Sequence, residues 1–335
     1  MNEKVVARVA LVGLGPIGVE VGRAVLGRSG IEILGAADPA PEKAGRMLGE
    51  LLGGDAPFPV APSTRALYSR TAPGRSSRDV VLLCTGSRLE SVAPQILEAV
   101  EAGFHVVSTC EELSFPDLKH GELARKIDAA ARQHRVAVLG TGVNPGLVMD
   151  RLALAAAGAC VKVERVKVTR VVDAAKRRGP LRAKVGAGLS KEEFESGVEA
   201  RRLGHVGLSE SAAMVAVGLG FPIDEISETI EPVLADRETE GVAAGRVRGL
   251  HQIALVRAMG EIKVELDLTM AVGENAFDRI EIQGDPPVNL TVEGGFHGDR
   301  ATVGCVVNAV PFIVEASAGV QTVVTLPLFG LLPQR

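Results

Sequence analysis

The chain has 335 residues, 46% hydrophobic and 23% charged, so it can fill an ordinary core and is long enough for two domains. Its formal net charge is −4, with no tryptophan and one tyrosine, and it lacks the basic stripe and aromatic platforms of a nucleic-acid binder. No apolar run reaches the roughly 18–20 residues of a membrane span, and Met1-Asn2-Glu3-Lys4 shows no signal-peptide pattern, so a membrane is not expected as a partner.

The four cysteines, Cys84, Cys110, Cys160 and Cys305, are far apart, without CxxC or Cys/His zinc spacing. No metal site is therefore expected, and free thiols in a reducing cytoplasm are. The short basic run Lys176-Arg177-Arg178 reads as a solvated loop or as a contact for an anionic group.

In chain order, residues 5–12 are apolar and β-branched, the pattern of a buried parallel strand. Gly13-Leu14-Gly15-Pro16-Ile17-Gly18 follows at once, and a helix pattern runs over 17–26. Residues 31–37 read as a second strand ending at Asp38. Residues 55–77, rich in Pro, Gly and Ser, read as an irregular insertion, with at most a weak strand at 57–60. Strands are expected at 79–84, 104–109 and 135–139, and helices at 89–102 and 118–133. This alternation over about 150 residues predicts an α/β fold: an N-terminal Rossmann parallel sheet over 1–150.

The texture then changes. Residues 161–172 alternate, with Val161, Val163, Val166 and Val168 set against Lys162, Glu164, Lys167 and Arg170, as on a half-buried strand. Ser190-Lys191-Glu192-Glu193 is a capping box that should start a helix. Residues 209–218 and 222–230 read as helical, and strands are expected at 261–272, 279–283, 288–294 and 320–326. Residues 301–314 read as a helix capped by Asp299. The second domain, 151–335, is thus a C-terminal α+β domain on a mostly antiparallel sheet, expected to close the substrate pocket. Its final helix can return to the Rossmann unit, and its half-apolar sheet face makes a homodimer the expected assembly.

The glycine loop lies between strand and helix, with an acidic residue about 20 positions on, as a dinucleotide site requires. Gly13 permits the turn, Gly15 leaves room for the pyrophosphate, and Gly18 lets helix and strand approach. With Leu14, Pro16 and Ile17 they present the helix N-terminus to phosphate. Asp38 is the expected acceptor for the adenosine ribose hydroxyls. It favours NAD over NADP, although Lys43 and Arg46 lie near enough to offset it. Thr85-Gly86-Ser87 and Thr109-Cys110 end neighbouring strands and should line the nicotinamide half of the cofactor.

Three further segments carry candidate chemistry. Glu111-Glu112 puts two carboxylates at a strand end, where one can bind an ammonium group or act as general acid/base. Asn144, in Gly140-Thr141-Gly142-Val143-Asn144-Pro145-Gly146, can hydrogen-bond substrate or ribose. His205, in Gly204-His205-Val206-Gly207-Leu208-Ser209-Glu210-Ser211, can face substrate. Arg170 reads as a contact for the polar end of a substrate. His251, His297 and Asn308 are weaker candidates, the last for the cofactor. Cys110 has no evident base to make it a nucleophile.

Those four segments, the glycine loop, Ser108-Thr109-Cys110-Glu111-Glu112-Leu113, the Asn-Pro-Gly loop and the Gly-His segment, resemble the 2,4-diaminopentanoate dehydrogenases and their native amine dehydrogenase relatives. So do Gly298-Asp299-Arg300-Ala301-Thr302 and Val307-Asn308-Ala309-Val310-Pro311. The resemblance spans nearly the whole chain. It implies a dihydrodipicolinate reductase-like fold and reversible oxidative deamination of a primary amine with NAD or NADP. In reverse it implies reductive amination of a ketone or aldehyde with ammonia. It also implies a catalytic glutamate, for which Glu112 is chosen over Glu111, because related oxidoreductases place a catalytic lysine one step beyond a Cys-Glu pair. The chain lacks the reductase's paired-His segment, which argues against dihydrodipicolinate itself. Reduction of a cyclic imine of the dihydrodipicolinate type, 2,4-diaminopentanoate oxidation proper, and a non-catalytic NAD(P)-binding sensor are the alternatives.

Overall fold

Six short apolar runs dictate the first sheet. The computed structural model describes residues 6–71, 76–175, 184–326, 330, 333 and 334; the basic run 176–178 lies outside them. Strand β1 (Ala7–Val12) is buried except for Arg8, whose guanidinium grips Asp79 through two bonds of 2.7 and 2.8 Å. It pairs in parallel with β2 (Ile31–Ala37) on one side and β3 (Asp79–Leu83) on the other. Beyond β3 come β4 (His105–Ser108), β5 (Ala137–Gly140) and a C-terminal strand, Gly319–Gln321, all parallel. The order is C-terminal strand–β5–β4–β3–β1–β2, so connections run one way from β1 to β2 and the other way from β3 onward. Open α/β sheets bind ligands outside the carboxyl ends of the strands at such a reversal. Here those ends carry Gly13, Cys84-Thr85 and Thr109.

The helices of this unit are α1 (Pro16–Leu26), α2 (Leu48–Leu52), α3 (Thr64–Thr71), α4 (Leu89–Glu101) and α5 (Asp117–His134). The insertion expected at 55–77 to be irregular contains α3. The Ser63 hydroxyl accepts from the amide of Ala66 and starts it. Leu67 and Tyr68 then bury one face, with Tyr68 5.1 Å from the Phe104 ring. The anticipated segment 57–60 supplies only isolated bridges, Met47 with Pro59 and Ala37 with Ala61 nearby.

The chain divides into two compact units, Met1–Leu147 with Gly298–Arg335, and Val148–His297. The second domain was expected to run to 335. Instead the C-terminal helix, Gly298–Ile313, belongs to the first unit, where it packs on α1 and β4. The strand expected over 320–326 stops at Gln321, because Thr322 and Thr325 turn the chain through their hydroxyls.

The second unit holds α6 (Arg151–Ala157), β6 (Lys162–Asp173), α7 (Lys191–Glu199), α8 (Leu208–Gly218), β7 (Glu225–Leu234), β8 (Val247–Ala258), β9 (Glu261–Ala271), β10 (Phe277–Asp285) and β11 (Val288–Glu293). The sheet order is β11-β10-β6-β9-β8-β7, antiparallel except for β6 with β9. The capping box forms as expected: Ser190 Oγ accepts from the Glu193 amide, and Glu193 accepts from Ser190 N–H.

Two expectations fail here for identifiable reasons. Residues 222–230 were expected to be helical, yet Glu225–Leu234 is the edge strand. Ile226, Thr229, Ile230 and Val233 favour a pleated surface, and Pro232 is tolerated at an edge, where its missing donor is not needed. Strand β8 was not anticipated, because Gln252 interrupts its apolar face and Gly249 weakens its pattern.

Candidate active site

The glycine loop follows from sterics. Gly13 has φ +84°, and a Cβ there would stand 2.7 Å from the carbonyl oxygen of Cys84, so only glycine fits at the crossing of β1 and β3. A Cβ on Gly18 would lie 1.8 Å from the oxygen of Gly13, which fixes the approach of α1 to the strand. Gly15 is different: nothing lies within 4 Å of where its Cβ would be. Pro16 opens the helix, and the first-turn amides, Ile17 and Gly18 among them, face outward with the positive end of the helix dipole. An uncrowded backbone ahead of a helix N-terminus suits a pyrophosphate.

Asp38 closes this loop from β2. Its carboxylate accepts from the amides of Leu14 (2.7 Å) and Ala40 (2.9 Å) and pairs with Lys43 Nζ at 3.1 Å. Burial pushes this carboxyl up, but the two amides and Lys43 outweigh it and hold it below the usual carboxylate value. Asp38 is thus an ionised group built into the turn. Arg46, the other cation near it in sequence, is paired with Glu50.

The ends of β3 and β4 carry the second cluster. Thr85 is exposed, with its hydroxyl on Gln95, and Gly86 and Ser87 are half-buried. Thr109 N–H donates to Leu83 O across the sheet, which sets the two strand ends side by side. Cys110, expected to line the cofactor, sends its side chain the other way. It is fully buried, and its thiol donates to Ser87 O at 3.3 Å. Burial pushes that thiol up to about 12, so it supports the loop and is no nucleophile.

Glu111 and Glu112 open a single 3₁₀ turn, Glu111–Ser114. Glu111 is half-buried, whereas Glu112 is 4% exposed and held by three donors. Arg88 Nη1 reaches Oε1 at 2.9 Å, while Leu89 N–H (2.7 Å) and His120 Nε2 (3.0 Å) reach Oε2. Burial raises this carboxyl, but the Leu89 amide, Arg88 and His120 together bring it below the ordinary value. Glu112 is therefore a fixed anion at the N-terminus of α4. The sequence offered no signal for Arg88 or His120, which are spaced from Glu112 by 24 and 8 residues and meet it only through the fold.

At the end of β5, Thr141 and Asn144 are both buried, and Asn144 precedes a cis Asn144–Pro145 bond. Val143 N–H donates to Thr302 Oγ1 of the C-terminal helix at 3.2 Å, which ties the Asn-Pro-Gly loop to that helix. On the same helix Asn308 buries its carboxamide oxygen without a hydrogen-bond partner, and the Thr141 hydroxyl is likewise unsatisfied. Buried oxygens of this kind call for a donor. Together with the open space at Gly15 and the ionised Asp38, they fit a dinucleotide carrying ribose hydroxyls and a carboxamide.

In the second unit the candidates separate. Arg170 was placed on the polar face of β6, but it shares its parity with Val166 and Val168. The register shift opposite Arg165 and Val163 reverses the alternation seen earlier in the strand. Arg170 is 3% exposed, bonded to Asp278 at 2.7 Å and to Phe296 O at 3.0 Å. Leaving one charge of such a buried pair alone costs about 3–5 kcal/mol, so its structural role outweighs any substrate contact. His251 lies on the opposite face from Arg170 and bonds Asp267 of β9 at 2.9 Å. One face of the sheet cannot present both side chains. His205 has its backbone fixed from both sides by Gln252, whose amide accepts from His205 N–H and donates to His205 O, each at 2.8 Å. Gln252 also donates to Glu228, which accepts from Ser209, so the Gly-His segment rests on a polar frame that runs from buried Gln252 and Ser209 to exposed Glu228.

Known proteins share this construction. Residues 147–333 match the family described as the 2,4-diaminopentanoate dehydrogenase C-terminal domain. The chain is 32% identical over 340 residues to 2,4-diaminopentanoate dehydrogenase of Acetoanaerobium sticklandii, covering 96% of this chain and 93% of that one. The chain belongs to the 2,4-diaminopentanoate dehydrogenase family. It is also 23% identical over 360 residues to an amine dehydrogenase of Streptomyces virginiae, covering 94% and 95% of the two chains. The solved amine dehydrogenase of Mycobacterium smegmatis has the same fold, with a TM-score of 0.85, 23% identity and 98% coverage of each chain. The family match begins just after the Asn-Pro-Gly turn and takes in all of the second sheet and the C-terminal helix that belongs to the first unit. No helix among the described residues is long and apolar enough to cross a membrane.

Proposed function

We propose that this protein is an NAD(P)-dependent amine dehydrogenase, interconverting a primary amine with the corresponding ketone or aldehyde and ammonia. The observation that carries the reading is Glu112: an ionised, buried carboxylate on the sheet edge that also holds the glycine loop. Bound along that edge, the nicotinamide would supply reversible hydride transfer. The protein's own groups supply the rest.

In oxidation the amine enters as an ammonium. Glu112 binds that cation, takes a proton from it and passes it on, and the restored carboxylate then stabilises the iminium left when hydride departs. Three donors fix Glu112 in place, so this stabilisation needs no rearrangement of the site during reaction. Water then attacks the iminium and gives a proton to Glu112; in reduction that step runs backward, and Glu112 gives the proton to the hydroxyl of the carbinolamine, which leaves as water. Asn144 is assigned to substrate, and Asn308 and Thr141 to the cofactor, on the burial described above. The scarcity of aromatic residues supports an aliphatic pocket. The second sheet has one face covered by helices and the other only half-buried, which supports a second copy of the chain as its cover.

Asp38 supports a preference for NAD. A second phosphate on the adenosine ribose would face this carboxylate, and both nearby cations already hold carboxylates, Lys43 on Asp38 and Arg46 on Glu50. The expected result is a higher kcat/KM with NAD than with NADP, narrowing by about tenfold in Asp38→Asn. A wild-type preference for NADP would overturn it.

The test of the main reading is oxidation of a panel of amines, 2,4-diaminopentanoate among them, with NAD. One ammonia should appear for each NADH formed. NADH formation without ammonia would overturn the proposal.

A further inference from the structure

We propose that His120 relays protons between Glu112 and the solvent. The proposal rests on Glu112 being the carboxylate that meets the amine. The overall reaction requires such a route. Oxidation of an ammonium R₂CH–NH₃⁺ by NAD⁺ and water gives ketone, NH₄⁺, NADH and one further proton. Glu112 is 4% exposed, so that proton cannot leave the carboxylate directly.

The structure offers one path outward among the described groups around Glu112. Arg88 holds its charge permanently, and the Leu89 amide does not exchange protons in turnover. His120 is the third donor, with Nε2 at 3.0 Å from Oε2. Its other nitrogen, Nδ1, lies 3.9 Å from Oε1 of Glu90, whose side chain is 81% exposed. The imidazole thus has one nitrogen on the buried carboxylate and the other beside a carboxylate at the surface. The backbone helps to place it. His120 has φ −132° and ψ 42° inside α5, so the helix is interrupted at this residue.

The proton count closes in both directions. An ionised carboxylate only accepts hydrogen bonds, so Nε2 carries the hydrogen in this state. In reductive amination Nδ1 takes a proton from water beside Glu90 and the ring becomes imidazolium. Nε2 gives its proton to Glu112, and Glu112 gives it to the carbinolamine hydroxyl, which leaves as water and forms the iminium. The ring is left neutral with hydrogen on Nδ1, and exchange with water, one proton gained at Nε2 and one released from Nδ1, restores the starting tautomer. Oxidation runs the same steps backward.

His120 acts through Glu112, so its test must separate proton transfer from support. His120→Gln keeps a donor for Glu112 but cannot relay a proton. It should fold like the wild type by circular dichroism, keep KM for the carbonyl within about twofold, and lose roughly 10²-fold in kcat. Its solvent deuterium isotope effect on kcat should rise. In His120→Ala, added imidazole should restore turnover in a saturable way. Full kcat in His120→Gln, a loss confined to KM, or no rescue of His120→Ala overturns the relay. Full turnover in Glu112→Gln would instead remove the reading on which the relay rests, whatever the His120 variants do.

Discussion

Glu112→Gln is expected to lower kcat for amine oxidation by about 10³-fold while the cofactor still binds. The charge is lost, and with it both the acceptor for the ammonium proton and the stabilisation of the iminium, effects typically worth 10²–10⁴-fold and 10²–10³-fold. Glu111→Gln should stay within about tenfold of wild type, because Glu111 lies half-buried outside the three-donor cluster. The reverse ranking would move the chemistry to Glu111 and leave Glu112 as an anchor for α4. The same variant carries a stability signature. The folded Glu112 carboxyl lies below its ordinary value, so its stabilisation is complete above about pH 4.3 and is lost as pH falls through the lower folded value. Acid unfolding of the wild type should therefore be steeper than that of Glu112→Gln. Initial rates, cofactor titration and acid melts of the two variants check these statements together.

Gly15→Val should separate cofactor binding from folding. Its backbone, φ −64° and ψ −179°, suits any L-residue, and the added Cβ meets nothing within 4 Å. The melting temperature should stay within a few degrees of wild type, while the dissociation constant for NADH rises by at least about 10²-fold, roughly 2.7 kcal/mol. The side chain would then occupy the space assigned to the pyrophosphate. Gly18→Ala is the contrast: its Cβ would meet Gly13 O at 1.8 Å, so it should lose folded protein together with binding. NADH affinity unchanged in Gly15→Val would mean that the dinucleotide does not cross this turn.

These two sites show what a single sequence exposes. The glycine loop and Asp38 were legible because the constraint is local: a turn, a close approach and a carboxylate at a fixed distance along the chain. The alternating strands and helices of the first unit were legible for the same reason, and so was the capping box at Ser190. Arg170 misled because its strand changes parity at a register shift, which only pairing with β10 reveals. Residues 222–230 misled because β7 takes its structure from pairing with β8 rather than from its own periodicity. The fate of the last 38 residues depended on where the C-terminal helix packs. Arg88 and His120 carried no sequence signal at all, since each is an ordinary surface residue type until the fold sets it against a buried carboxylate.

Family membership and site geometry answer different questions. The 32% identity over nearly the full chain places the protein in the 2,4-diaminopentanoate dehydrogenase family. The geometry proposes how such a chain would work: a glycine loop with space for phosphate, unsatisfied oxygens at Asn308 and Thr141, and an anion fixed by three donors. In the proposed reaction the amine nitrogen comes from ammonia, and that atom offers the most direct measurement. A ketone or aldehyde turned over with NADH and ¹⁵N-ammonium should give an amine carrying one ¹⁵N for each NADH consumed, with no NADH oxidation when ammonium is left out. NADH oxidation that proceeds at full rate without ammonium, giving an alcohol or an unlabelled product, would contradict the account.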